Sequence, residues 1–356
     1  MDTSHVLSED IGIEIRTTNG VPIFAHNQSL IKSPTAVLIE SFEGFRDIDD
    51  VKQSEKNLLC HPLYVSLKTY FDNGGGPCYV CPTDKLVEEL SRLDDVNLIV
   101  AAGENLIDQP ALFADGRYFV ILDGPSALSS DPANTMKSYP VTPNAAVYYP
   151  NLKASWATYQ DNDGDHSVSI PVSAAVAGVY SVGDREHGVW KVPVNISLRG
   201  GAEVEVDVSD ETTDLYTFSD KPLNMIKIFP GRGSVIWEMS TLGEDKTTVQ
   251  CYVSVQRLLL SVEKDIREML RSVVFQPNPE LTLQKVRTAI NGYLYNIWTK
   301  GGLKGDNHSE AYSVKVDLIK LDGDTDGTVS TVIHIRLAAM CPSEFIDLRI
   351  VQKTSQ

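Results

Sequence analysis

Several groups of residues have the types and spacing that chemistry could use. Cys78-Tyr-Val-Cys81 has the C-x-x-C spacing of a metal or redox pair. It sits in a run that reads as a strand, where residues three apart point to opposite faces. Such thiols cannot easily share a metal or a disulfide, so the expected role is structural. Asp161-Asn-Asp163-Gly-Asp165 and Asp322-Gly-Asp324-Thr-Asp326-Gly327 resemble calcium loops. The second has acids at the first, third and fifth places and glycine at the sixth, but Ile333 stands where the bidentate Glu belongs. Strand-like flanks make it a polar hairpin turn.

Gly74-Gly75-Gly76 lacks the Lys-Ser/Thr ending of a P-loop and the strand-then-helix order of a dinucleotide fingerprint, so a tight turn is expected. Asp184, Glu186 and His187 lie close enough to raise a soluble α/β hydrolase. Yet there is no G-x-S-x-G elbow and no H-E-x-x-H spacing, and no Ser or Cys takes the nucleophile's role. The sequence predicts no enzyme, no metal and no cofactor.

Charge narrows the partners. The 356-residue chain carries a net charge of −17, which argues against general nucleic-acid binding. The excess is uneven: residues 1–150 sum to −11, 151–240 to −6 and 241–356 to zero. Within 271–304, Arg271, Lys285, Arg287, Lys300 and Lys304 face Glu280 alone, which hints at an acidic partner for that segment. No apolar run is long enough to span a bilayer, so no membrane insertion is expected. Met1–Asp10 has acids, no Lys or Arg and no apolar core, so no Sec-type leader is expected. Five scattered cysteines suit a reducing compartment.

The elements that would position these residues follow from periodicity. Ile11, Ile13 and Ile15 alternate with polar residues, giving a lone strand in an otherwise polar arm, 1–21. From 22 to 240, β-branched runs (35–39, 78–81, 96–101, 118–122, 145–149) alternate with helical stretches at 62–70 and 85–92, an α/β pattern. The proline-rich 124–146 segment reads largely as a surface connection. A smaller α+β domain, 241–341, holds two helices. The first has Val255, Leu258, Leu259, Val262, Ile266, Met269, Leu270 and Val273 on one face. The second opens at Asn278-Pro279, carries Leu283, Val286, Ile290, Tyr293, Leu294 and Ile297, and stops at Gly301-Gly302. A hairpin spans 313–338. The last segment, 342–356, contains a strand-like run (Phe345, Leu348, Ile350) with nothing after it to pair with. Unpaired strands at both ends invite pairing with another subunit.

Ordered motifs give a family resemblance. Tyr70-Phe-Asp-Asn-Gly-Gly-Gly-Pro-Cys-Tyr-Val80, Ala174–Tyr180, Asp184-Arg-Glu-His-Gly-Val-Trp-Lys191 and Leu198-Arg-Gly200 resemble, in order and spacing, the tail sheath proteins of contractile phage tails, R-type bacteriocins and extracellular contractile injection systems. Phe229-Pro-Gly-Arg-Gly233 with Val235-Ile-Trp237 is similar to that family's domain junction. Tyr252–Leu258, Val273–Asn278 and Leu294–Gly302 are similar to its C-terminal helical part, and Pro342-Ser-Glu-Phe345 to the start of its C-terminal arm. The resemblance covers roughly 60–351.

The resemblance implies a subtilisin-like topology without protease residues, and a structural subunit. It implies stacked hexameric rings around an inner tube, with terminal arms (Ile11, Ile13, Ile15; Phe345, Leu348, Ile350) adding strands to neighbours. It also implies a tube-facing helix, assigned to 279–304 with Lys285, Arg287, Lys300 and Lys304. Partners would be further copies, the inner tube protein, and baseplate and terminator or cap proteins. Assembly would occur in the cytoplasm before the particle is released. The chain's short length favours the compact sheaths of bacteriocins and extracellular systems. A baseplate-proximal sheath paralogue is the alternative within the family.

Overall fold

A computed structural model describes residues 21–27, 30–114, 116–161, 164–191, 194–243, 251–273, 279–320, 329–340 and 345–354. Two compact units emerge, one from Asn19 to Arg257 and one beginning at Leu258. The division falls inside a helix, later than the boundary at 240 expected from the sequence. The segment resembling a domain junction, Phe229–Gly233, forms the tip of an antiparallel hairpin.

The large unit opens with β1 (Val21–His26), β2 (Val37–Ile39), α1 (Phe42–Arg46), α2 (Asp49–Gln53) and α3 (Pro62–Asp72). Next come β3 (Cys78–Pro82), α4 (Leu86–Leu90), β4 (Val96–Val100), α5 (Ala111–Ala114) and β5 (Phe119–Asp123). The segment to β6 (Ala145–Tyr149) contains one helical turn, α6 (Pro132–Thr135). Short strands β7 (Leu152–Lys153), β8 (Thr158–Asp161) and β9 (Gly164–Ser167) precede the long helix α7 (Val172–His187). The unit finishes with β10 (Ile196–Ser197), β11 (Glu203–Val204), α8 (Asp210–Thr217), β12 (Asn224–Phe229) and β13 (Gly233–Ile236).

Nine of these strands form one sheet in the order β10-β13-β12-β6-β5-β4-β1-β3-β2. From β12 to β3 every pairing is parallel, and the outer strands β13, β10 and β2 are antiparallel. Helices on both faces explain why β5 and β6 are near-continuous apolar runs, buried along almost their whole length. One face packs Ile23, Ala25, Cys81, Val120 and Val147 against Leu86, Leu112, Phe113 and Tyr216. The other meets α3 and α7: Phe24 lies edge-on to Tyr70 at 4.9 Å, and Tyr148 and Tyr180 share a hydroxyl hydrogen bond of 2.5 Å.

Helix α7 is buried from Val172 to Ser181. Small residues let it approach α3, and a Cβ at Gly178 would lie 2.6 Å from the carbonyl oxygen of Tyr70. Past α3, Gly74 turns the chain with φ +85°, the conformation glycine adopts without penalty. This is the tight turn expected there, and Arg185 of α7 holds it by donating 2.5 Å to the Gly74 carbonyl.

The remaining elements are α9 (Val253–Val273), α10 (Pro279–Thr299), α11 (His308–Ala311), β14 (Tyr312–Lys320), β15 (Val329–Ala338) and β16 (Phe345–Thr354). The predicted apolar stripes are buried: Leu258, Leu259, Val262, Ile266 and Met269 on α9, and Val286, Ile290, Tyr293, Leu294 and Ile297 on α10. Helix α10 packs against β14, and Tyr312 donates to the carbonyl of Asn291 at 3.1 Å. The hairpin and the last strand form one antiparallel sheet, β14-β15-β16.

Candidate functional site

The C-terminal sheet is built by alternation. Ile333, Ile335 and Leu337 on β15 turn inward, and Ile346 and Ile350 join them from β16. Register pairs Ala338 with Phe345, Ile335 with Leu348 and Ile333 with Ile350. This corrects one expectation. The 345–351 run has a partner within its own chain, since β16 lies antiparallel to β15 over ten residue pairs. The other arm residues, Ile11, Ile13 and Ile15, lie outside the described residues.

The cations assigned to the tube-facing helix sit on the outer side of that same small unit. Arg287, Lys300 and Lys304 are exposed and Lys285 is half-buried. Gly301, at φ +80°, ends the helix, and Lys304 donates its backbone N–H to Ala338 at 2.8 Å, tying the segment to the end of β15. The helix also exposes Leu281 and Tyr295, the latter 5.5 Å from Trp298. On α9, Asp265 is buried and accepts a 2.6 Å hydrogen bond from Tyr293 of α10. Burial raises this carboxyl from the usual 3.8 to about 6.

Of the hydrolase-like residues, Asp184 is engaged elsewhere. Asp184 pairs with Arg257, while Glu186 and His187 stand exposed on the last turn of α7, 3.8 Å apart. Among the described residues, a serine–carboxylate contact involves Ser173, at the start of α7. Its Oγ donates to Asp123 Oδ2 at 2.9 Å and accepts from the Ala102 N–H at 2.9 Å. Asp123 also accepts from the N–H groups of Ser173 and Gly103. Ser173 is wholly buried, and these contacts clamp the turn after β4, where Ala102 and Gly103 both have positive φ. A serine nucleophile needs a base and room for substrate; this one braces a turn.

Cys78 and Cys81 are buried on β3, and burial pushes the Cys81 thiol up to about 12. That is the opposite of what a reactive or metal-binding thiol requires. The first calcium-like loop is the β8–β9 hairpin, and Asp322–Gly327 lie outside the described residues. Among the described residues, no group of His, Cys, Asp or Glu is arranged to hold a metal, and no helix is long and apolar enough to cross a membrane.

No family model matches the chain. The structure superposes with a TM-score of 0.80 on a chain from the contracted sheath complex of an extracellular contractile injection system, PVC. The two are 35% identical, with 96% of this chain and 94% of that one covered. This chain belongs to the contractile tail sheath protein family. A chain from the contracted baseplate of the anti-feeding prophage is also similar to this sheath protein, at 30% identity, 96% and 95% coverage and a TM-score of 0.77. The tail sheath protein of Vibrio phage KVP40 is 23% identical over 164 residues, which are 45% of this chain and 24% of that protein. The aligned part thus spans about a quarter of the phage protein. These likenesses support a sheath-subunit role, and the matched chains come from a sheath complex, a baseplate and a phage tail sheath.

Proposed function

We propose that this chain is the repeating sheath subunit of a contractile injection machine. Copies stack as hexameric rings around an inner tube. A metastable extended lattice then shortens by rigid-body rearrangement of its subunits and drives the tube through a target envelope. The observation that carries this reading is the full-length likeness to a sheath chain from a contracted complex. The inner tube protein, the baseplate and a terminator or cap protein are the other partners, and the particle assembles in the cytoplasm before release.

Within it, the arms join subunits. Residues 1–21 and strand β16 add to neighbouring sheets through main-chain hydrogen bonds, which hold while subunits turn because they ask little of side chains. Lys285, Arg287, Lys300 and Lys304 face the tube.

The likeness to a chain of the anti-feeding prophage baseplate favours a second reading, a sheath paralogue seated next to the baseplate. Negative-stain microscopy of the chain produced with its genomic neighbours separates the two. Long striated cylinders support the repeating subunit, and particles with this chain confined to one end support the paralogue. Deleting residues 1–20 should abolish cylinders while leaving a folded subunit. Normal cylinders from the truncated chain would refute the arm assignment.

A further inference from the structure

The outer face of the β14-β15-β16 sheet carries a cationic row that strand exchange and tube contact leave unused. Register places Lys315 opposite His334, and His334 opposite Arg349. All three side chains are exposed, and none takes part in an ion pair among the described residues. Side chains directly opposed in an antiparallel sheet stand about 5 Å apart, so Lys315 and Arg349 set two cations on either side of the His334 imidazole. On this face the register places one acid a row away on each side: Asp317 on β14, opposite Val332, and Asp347 on β16, opposite Arg336. Carboxylates supplied from outside would relieve the row. Val351, partly exposed on β16 in the row of Asp317, sets an apolar spot beside the cations.

The complementary pattern lies on the large unit. Glu203, Glu205, Asp207, Glu211 and Asp214 are exposed, and among the described residues none has an ion-pair partner. Val206 and Leu215 stand exposed among them, at the rim of an open cleft of about 770 Å³. Cations beside an apolar spot thus match carboxylates beside apolar spots. The chain's whole charge excess of −17 lies in residues 1–240, so every further copy presents carboxylates of this kind.

We propose that the Lys315–His334–Arg349 row, completed by β16 of the same copy or, after strand exchange, by the same strand of a neighbour, docks on the Glu203–Asp214 strip of a further copy. The contact joins two unlike surfaces, the heterologous arrangement that generates rings and helices and not closed dimers. It rests on the sheath-subunit reading and adds a side-chain contact to the strand exchange in that reading.

Sedimentation velocity on the full chain tests it, at about 50 mM and about 1 M salt, since the Debye length falls from above 10 Å to about 3 Å. The parent chain should self-associate at low salt. Lys315→Glu with Arg349→Glu should weaken that association about tenfold, as should Glu205→Lys with Asp207→Lys and Glu211→Lys, with the differences shrinking at high salt. Circular dichroism and melting should stay unchanged for each set, because every position is exposed. Mixing the two reversed sets, which restores opposite charges across the joint, should recover association. Unchanged association in either set, no recovery on mixing, or no self-association of the parent would overturn the contact. A Lys315/Arg349 variant that associates normally yet loses co-assembly with the tube protein would also overturn it, since the row would then face the tube. Association through the row by a chain that forms no cylinders would sink the sheath-subunit reading and leave this contact standing.

Discussion

Arg257 grips Asp184 through both carboxylate oxygens: Nη1 lies 3.0 Å from Oδ1, Nη2 bonds Oδ2, and only 3% and 8% of the two side chains are exposed. The guanidinium also lies 4.5 Å from the ring centre of Tyr180, whose hydroxyl meets Tyr148. A buried pair broken on one side leaves an uncompensated charge, whereas replacing both partners with apolar residues can be neutral. Arg257→Met should therefore cost about 3–5 kcal/mol. Adding Asp184→Leu to it should recover most of the loss, and thermal melting of the two variants beside the parent checks both statements.

Gly178→Ala should lower stability by about 1–3 kcal/mol although it adds one methyl group. The new Cβ would meet the Tyr70 carbonyl oxygen at 2.6 Å and the Asn73 Cβ at 2.8 Å, so α3 and α7 must move apart. At Gly183, five residues along the same helix, nothing lies within 4 Å, and Gly183→Ala should be tolerated. Equal melting temperatures for the two variants would contradict this packing.

Asp265 sets a pH dependence. Its carboxyl is raised by burial from 3.8 to about 6, so the unfolded chain ionises first as pH rises. Its contribution is complete below about pH 4, drains between about 4 and 6, and leaves a deficit of about 3 kcal/mol above that range. Asp265→Asn stays neutral and can still accept from Tyr293. Denaturant unfolding should show this variant more stable than the parent at pH 7–8, with a flatter profile between pH 4 and 6.

Charge reversal at Lys285, Lys300 and Lys304 should weaken co-assembly with the tube protein, by about 0.2–1 kcal/mol per contact, and the loss should deepen as salt falls. Co-purification at low salt tracks it. Retention equal to that of the parent chain would remove α10 from the tube contact.

Amphipathic elements were legible in the sequence. Helices α9 and α10 each present a polar and an apolar side, and β14 and β15 alternate cleanly, so 3.6- and 2-residue periods locate them. Elements buried on every side carry no such contrast. Helix α7, with its Ala174-Ala-Val-Ala-Gly run, reads only as an apolar stretch, although it covers one face of the sheet. Strand β1 escaped notice for a related reason: Val21-Pro-Ile-Phe-Ala-His is short and contains a proline, yet it lies between β3 and β4. Pairings between distant segments leave no local mark. Lys315, His334 and Arg349 become one row only through strand register, and Ser173 meets Asp123 only across fifty positions of chain. The β15–β16 pairing belongs to this class, and a lone strand was the reading that local pattern allowed.

That pairing bears on how a polymer would begin. A strand tethered by the short 339–344 segment competes for its seat beside β15 at an effective concentration of about millimolar. A strand offered by another copy at micromolar concentration is outcompeted roughly a thousandfold. If β16 is exchanged as proposed, each dilute chain would inhibit its own strand exchange, and exchange would wait for other contacts that hold neighbours close enough to outbid the resident strand.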